Sequence, residues 1–95
     1  MNIKDKHSSE KAVSAIALFK GQEGTVNAIQ IKKNELLKEH ITKVPALLVC
    51  IEGKVKFENE HKLEEVLHIG DYVLIEPMVK HWLTAITDCQ LLLMK

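Results

Sequence analysis

The sequence contains no arginine, so all thirteen of its basic residues are lysines. Arginine is the side chain that most often binds guanine or phosphate through two parallel hydrogen bonds, and its absence argues against a nucleic-acid partner. Thirteen acidic residues balance the lysines, and a chain without net charge has no electrostatic attraction to an anionic membrane surface. We therefore expect neither a nucleic acid nor a membrane as a partner.

Long apolar runs and cysteine frameworks are absent as well. No apolar run approaches the ~20 residues of a membrane-spanning helix, and the polar segment 1–11 contains nothing similar to a signal peptide. The two cysteines, Cys50 and Cys89, lie inside apolar segments, where we expect buried, reduced and unreactive thiols. These features predict a cytoplasmic protein without structural disulfides.

The composition that remains is typical of one globular domain. Hydrophobic residues make up 46% of the chain and charged residues 27%, which is unlike a disordered segment. A length of 95 residues is enough for one hydrophobic core. We expect residues 1–11 to form a flexible N-terminal arm, or an edge segment that orders on docking, ahead of a single domain of residues 12–95.

From residue 12 onwards, short strand-like runs alternate with turn residues. Segments 25–31 and 54–58 alternate apolar and polar residues, which is typical of half-buried strands. The apolar run 44–51 is short and rich in valine and isoleucine, and it predicts a strand buried on both faces. Further strands are predicted at 62–69, 72–75, 79–86 and 89–94.

Two segments leave a helical alternative open. Segment 12–19 reads as a strand or as one or two helical turns, and segment 36–40 has real helix propensity. Because Asn34 precedes the second segment and residues 42–45 close it, an extended structure is favoured there. Many short strands separated by turns predict an all-β sandwich or barrel, and a small α+β domain is the alternative.

Two regions of the chain resemble the sequence motifs of the cupin family: the one that ends at Gly53 and the one from Gly70 to Pro77. The resemblance covers residues 25–95 and implies a small all-β cupin-type barrel, a double-stranded β-helix or jelly roll. Asn34 stands at a turn glycine of the family, and asparagine tolerates the left-handed backbone of such a turn. The motif positions fall on Asn34, His40, Thr42, Ala46, Gly53, Gly70, Glu76, Met78, His81 and Ala85, and the family residue is kept at His40, Gly53, Gly70 and His81.

The cupin resemblance also implies a metal cage of three imidazoles and one carboxylate. Thr42 replaces one imidazole here and Ala46 replaces the carboxylate. His40 and His81 remain candidate ligands for a weakly bound zinc, iron, manganese or nickel ion. Because metal sites usually have at least three protein ligands, no tightly bound cofactor is expected.

The alternation of strand side chains predicts a cavity between the two motifs. We expect His40 and His81 to face each other across it, with small or apolar neighbours around them. The predicted ligand pocket is lined by His40, Thr42, Ala46, Leu48, Met78, His81, Leu83 and Ala85.

Three functions are compatible with this pattern. The favoured one is a small-ligand-binding or sensing module without catalysis, because no catalytic triad or paired carboxylates are present and two cage positions have lost their ligands. A metal-dependent dioxygenase or isomerase using His40 and His81 is the second. The third is a structural homodimer, in which a second copy or the N-terminal segment covers the outward side chains Leu47, Val49 and Ile51.

Overall fold

The computed structural model describes all 95 residues and consists almost entirely of antiparallel strands. Its one helix is a 3₁₀ turn at Ile3–Lys6, and no helix is long and apolar enough to cross a membrane. Both segments with an open helical alternative are strands. The strands are β1 (Val13–Lys20), β2 (Thr25–Ile31), β3 (Leu36–His40), β4 (Ala46–Glu52), β5 (Val55–Asn59), β6 (Glu64–Leu67), β7 (Tyr72–Ile75), β8 (His81–Ala85) and β9 (Cys89–Met94).

The nine strands form two antiparallel sheets. The five-stranded sheet has the order β1-β2-β9-β4-β7, and the four-stranded sheet has the order β3-β8-β5-β6. The chain passes between the sheets repeatedly, since β4 and β5, and again β7 and β8, are consecutive strands in different sheets. The all-β prediction is confirmed, and the connections are those of a jelly roll.

The core lies between the two sheets and follows the period-two alternation of the strands. In β4, Ala46, Leu48 and Cys50 are buried, whereas Leu47 and Val49 are half-buried on the outer face. The expectation that 44–51 is buried on both faces is therefore met on one face only. The core cluster of buried apolar residues is Ile29, Ile31, Ala46, Leu48, Cys50, Val55, Phe57, Leu67, Val73, Ile75, Leu83, Ala85, Cys89 and Leu91.

Three of the predicted turn positions have left-handed backbone. The φ angles are +81° at Gly53 and +88° at Gly70, where glycine has no Cβ to clash. Asn34 has φ 68°, so the prediction that asparagine replaces a turn glycine there is confirmed. Its backbone N–H donates to the Ala85 carbonyl at 2.8 Å, which fixes the entry of β3 beside the end of β8.

Residues 1–11 lie against the outer face of the five-stranded sheet. The Lys4 ammonium is 2.8 Å from the Glu52 carboxylate. The Nδ1 atom of His7 is 2.7 Å from the Ser14 hydroxyl of β1. Ile3 and Ile51 line the same surface pocket. The segment thus covers one end of this outer face, including Ile51.

The docking contact of His7 makes stability depend on pH. Burial lowers the pKa of His7 from the ordinary histidine value of 6.5, so the unfolded chain takes up a proton at a higher pH than the folded chain. Stability is then fully present above pH 6.5 and decreases as the pH falls towards the lowered pKa. We expect a His7→Gln variant to show a flatter decrease in melting temperature between neutral and acidic pH. A decrease as steep as in the original chain would contradict this role of His7.

Candidate ligand pocket at the barrel mouth

Three strands of the four-stranded sheet bring His40, His81 and Asn59 into one cross-strand row. His81 of β8 pairs with His40 of β3 on one side and with Asn59 of β5 on the other. Directly opposite residues of antiparallel strands share a face, and His81 is only 6% exposed, so the row lies on the inner face. The row lies at one open end of the barrel, and we call this end the barrel mouth.

The His81 imidazole is held between two rings. Its centroid is 5.9 Å from that of Phe57, with nearly parallel planes, and 6.3 Å from that of His40. Its Nδ1 is 3.3 Å from the Val79 carbonyl oxygen, which can only accept, so Nδ1 carries the proton. Burial lowers the pKa of His81, and the neighbouring His40 acts in the same direction. His81 is therefore neutral at pH 7, with Nε2 free to accept a hydrogen bond.

An open pocket of about 230 Å³ lies next to the His81 ring. This volume corresponds to roughly eight water molecules, which is below the usual range for drug-sized ligands. One wall is apolar, and the rim carries imidazole, amide and carboxylate groups. The lining residues are Phe57, Asn59, His61, Leu63, Leu74, Ile75, Glu76, Val79 and His81.

The rim of the pocket is built on a turn with its own hydrogen bonds. The Asn59 side-chain oxygen accepts from the backbone N–H groups of His61 at 2.9 Å and Leu63 at 3.1 Å. The Glu60 carboxylate accepts from the Lys80 N–H at 2.6 Å, which ties this turn to the loop before β8. The turn places His61 Nδ1 3.8 Å from the Glu76 carboxylate. These hydrogen bonds thus hold the backbone of the turn that carries Asn59 and His61.

The structure does not bring the eight predicted pocket residues together around one cavity. His40 and His81 are neighbours on adjacent strands and do not face each other across a cavity. Of the eight, only His81 lines this pocket. Ala46, Leu48, Leu83 and Ala85 belong to the same buried core cluster as Phe57 and do not line an open pocket. Thr42 is buried and its hydroxyl has no hydrogen-bond partner, Met78 is 60% exposed, and His40 is exposed.

Most of the pocket lining was not predicted from the sequence. Glu76 occupies a position of the second cupin motif, and this position could have indicated that it lies near the site. Phe57 and Asn59 lie two residues apart in a hairpin strand, so the sequence predicts that they point to the same face. The sequence does not predict that this strand, β5, lies beside His81. His61 sits in a hairpin turn, where no local pattern indicates that its side chain reaches Glu76.

The residues at the barrel mouth do not fit a resident metal ion. The structure contains no group of three or more His, Cys, Asp or Glu side chains that could hold one. His40 and His81 supply two imidazoles, whereas a metal site usually has three protein ligands. Thr42 and Ala46 add no imidazole or carboxylate.

The loop beside the mouth contains a strained residue. Met78 has φ 65°, a left-handed conformation that costs a residue with a Cβ about 1–2 kcal/mol. Its side chain is 60% exposed, so little packing is lost when it is removed. We expect Met78→Gly to stabilise the protein by about 0.5–1 kcal/mol in urea denaturation, after the entropic cost of glycine. Met78→Ala keeps the strain and should give no gain, and equal effects of the two variants would show that backbone strain at Met78 does not limit stability.

Both cysteines are buried and unpaired, as predicted. Burial, together with the nearby Cys50, raises the pKa of Cys89 to about 12. Burial also raises the pKa of Cys50. Both thiols are protonated at neutral pH and are poor nucleophiles, so they form no reactive site.

Comparison with known proteins shows similarity in structure only. No family model and no curated protein matches the sequence. A cupin superfamily protein from Desulfitobacterium hafniense is 13% identical with a TM-score of 0.83, and the match covers 94% of this chain and 81% of that one. An RmlC-like cupin from Shewanella frigidimarina is 18% identical with a TM-score of 0.79, over 92% and 78% of the two chains.

A third solved structure supports the same fold. It is an RmlC-like cupin family protein with a double-stranded β-helix fold from Methanocaldococcus jannaschii, 16% identical with a TM-score of 0.78, over 94% of this chain and 84% of that one. At such identities the similarity concerns the fold and not the function. The chain has the fold of a small single-domain cupin, as its two motifs predicted.

Proposed function

We propose that this chain is a small-ligand-binding module and that the pocket beside His81 is its binding site. The observation that carries the proposal is the buried imidazole of His81, which lines an open pocket together with apolar side chains and contacts the backbone through Nδ1 alone. Burying an imidazole costs desolvation that an apolar side chain would not incur. A polar group inside an otherwise apolar pocket is the usual means of orienting a small ligand.

The pocket favours a ligand with hydrogen-bond donors. Its polar side chains include the imidazole of His81 and the carboxylate of Glu76, both of which can accept hydrogen bonds, and no lysine lines it. The lining also includes the apolar side chains of Phe57, Leu63 and Val79. We therefore infer an uncharged or cationic molecule with an apolar face and one or two hydroxyl or amino groups. An anionic ligand would lie next to the Glu76 carboxylate, with no lysine in the lining and with the His61 ring already 3.8 Å from that carboxylate.

The test compares three groups of small compounds: amines, polyols and carboxylates. Binding to the folded state raises the melting temperature, and a ligand at 100 times its dissociation constant adds about 2.7 kcal/mol. We expect stabilisation by members of the first two groups, and weaker stabilisation in the His61→Gln variant. His68→Gln is the matched control, because His68 also lies at an exposed turn with a carboxylate nearby, Asp71 at 3.4 Å, but outside the pocket.

Three results would contradict the proposal. The first is stabilisation by carboxylates alone, and the second is an equal loss of stabilisation in His61→Gln and His68→Gln. The third is a near-stoichiometric metal ion in protein purified without a histidine tag, lost in both His40→Ala and His81→Ala. That result would favour the metal-dependent enzyme instead.

A further inference from the structure

One cross-strand row on the outer face of the five-stranded sheet is polar across four strands. Ser14 of β1 pairs with Gln30 of β2, which in turn pairs with Gln90 of β9. Gln90 also pairs with Glu52 of β4. Directly opposite residues share a face of the sheet, and the Gln90 side chain donates to the Gln30 side-chain oxygen at 2.7 Å. The next row on the same face is apolar and consists of Ile16, Ala28, Leu92 and Val49.

The N-terminal segment lies over the polar row and leaves a pocket beside it. His7 contacts Ser14, and the Lys4 ammonium contacts the Glu52 carboxylate. An open pocket of about 280 Å³ is bounded by both the segment and the sheet, and no apolar residue lines it. This volume corresponds to roughly nine water molecules, so a small molecule fits. We call it the polar pocket, and its charged lining residues are Lys4, Lys32, Glu52 and Asp88.

Two enclosed polar atoms beside the polar pocket have no hydrogen-bond partner. They are Oε1 of Gln90, a residue that is only 6% exposed, and Nε2 of His7. Both residues line the polar pocket. Enclosed polar atoms in folded proteins nearly always have a partner, because the loss of water without a replacement is destabilising. The two unpartnered atoms therefore indicate a further hydrogen-bonding group beside the row, and the polar pocket is where such a group can lie.

The polar pocket also contains two opposite charges without an ionic partner. Lys32 directly follows β2 and Asp88 directly precedes β9, and these strands are antiparallel neighbours, so the two residues lie at adjacent strand ends. The Lys32 ammonium donates to the backbone carbonyl of Ser9, and the Asp88 carboxylate accepts from the backbone N–H of Lys33 at 2.8 Å. Neither side chain forms an ion pair. Two such neighbouring charges match a molecule that carries an anionic and a cationic group close together.

We propose that the polar pocket is a second ligand site, which binds a small zwitterion of the α-amino acid type. The carboxylate of the ligand accepts from the Lys32 ammonium, and the ammonium group of the ligand donates to the Asp88 carboxylate. Charge-assisted hydrogen bonds of this kind are roughly twice as strong as those between neutral groups. Since the lining carries two lysines and two acidic residues, it favours neither a simple anion nor a simple cation. The polar pocket shares no residue with the pocket beside His81.

The experiment is isothermal titration calorimetry of the full chain with glycine, L-serine and L-asparagine. Each amino acid is compared with two analogues: its α-carboxamide, which lacks the carboxylate, and its N-acetyl derivative, which lacks the ammonium group. We expect at least one of the three amino acids to bind with a dissociation constant of about 1 mM or lower. Each of its two analogues should bind about tenfold more weakly or worse, because one charge-assisted contact is lost.

Two variants test whether the amino acid binds in the polar pocket. Lys32→Gln and Asp88→Asn each remove one charge, and each should raise the dissociation constant about tenfold or more. The matched controls are Lys33→Gln, at the neighbouring lysine outside the pocket, and Asp71→Asn, whose carboxylate likewise accepts from a backbone N–H, that of His68 at 2.8 Å. Both controls should bind within about twofold of the original chain, since salt screens charges outside the pocket. Circular dichroism shows whether all four variants are folded.

Nuclear magnetic resonance distinguishes the two pockets. The bound amino acid should shift the ring signals of His7, which lines the polar pocket, and leave those of His81 unchanged. The proposal is overturned by the absence of binding for all three amino acids at about 10 mM, by analogues that bind as well as their parent, or by equal losses in variants and controls. A shift of His81 in place of His7 overturns it as well, and leaves the proposed site beside His81 intact.

Discussion

Replacing Gly53 by alanine is expected to destabilise the fold by about 4 kcal/mol or more. Gly53 has φ +81°, and a Cβ atom there would lie 2.1 Å from the Asp88 carbonyl oxygen and 2.8 Å from the Thr87 hydroxyl oxygen. Neither the strained backbone nor the backbone carbonyl can yield cheaply. A domain of this size has roughly 5–14 kcal/mol of stability in total, so urea denaturation should show a large loss or no folded protein.

Gly70 provides the matched control for this prediction. It has a similar φ of +88°, but a Cβ atom there would meet nothing within 4 Å. Gly70→Ala should therefore cost only the backbone strain, about 1–2 kcal/mol. Equal losses in the two variants would show that the close contact of Gly53 with the turn between β8 and β9 does not determine its effect.

The second large effect is expected at Phe57. The ring is 1% exposed and lies between the core and the His81 imidazole. Phe57→Ala should cost about 3–5 kcal/mol in urea denaturation, because it removes buried contacts and leaves a cavity. Ligands that stabilise the original chain should lose their effect, since the apolar wall of the pocket is gone.

A surface substitution separates this effect from a general loss of apolar area. Val66→Ala removes a side chain that is 44% exposed on the outer face, and it should cost less than about 1 kcal/mol. A loss in Phe57→Ala no larger than that of Val66→Ala would mean that Phe57 does not fill the barrel interior.

The turns and strands were largely predictable, because they depend on neighbouring residues. Gly53 and Gly70 end apolar runs, and alternation in 25–31 and 54–58 indicates strands that the structure confirms. The cupin motif has glycine at the position of Asn34, and asparagine adopts the same left-handed backbone there. Segment 36–40 is a strand despite its helix propensity, because β3 pairs with β8 at the edge of the four-stranded sheet.

The candidate site was less predictable, because it depends on which strands are neighbours. Alternation indicates that His40 and His81 point in similar directions, but not that their strands are adjacent in the same sheet. It also places Leu48 and Leu83 inside the barrel without showing whether space remains between them. Phe57 belongs to the same buried cluster as these two leucines, and the pocket lies further out, lined by residues of the β5–β6 turn and the end of β7.

Nuclear magnetic resonance of the five histidine rings during a ligand titration tests the proposed pocket most directly. Addition of a stabilising amine or polyol should shift the ring signals of His81 and His61, which line the pocket, and leave that of His68 unchanged. A titration in which His68 or His7 shifts while His81 stays fixed would contradict ligand binding beside His81.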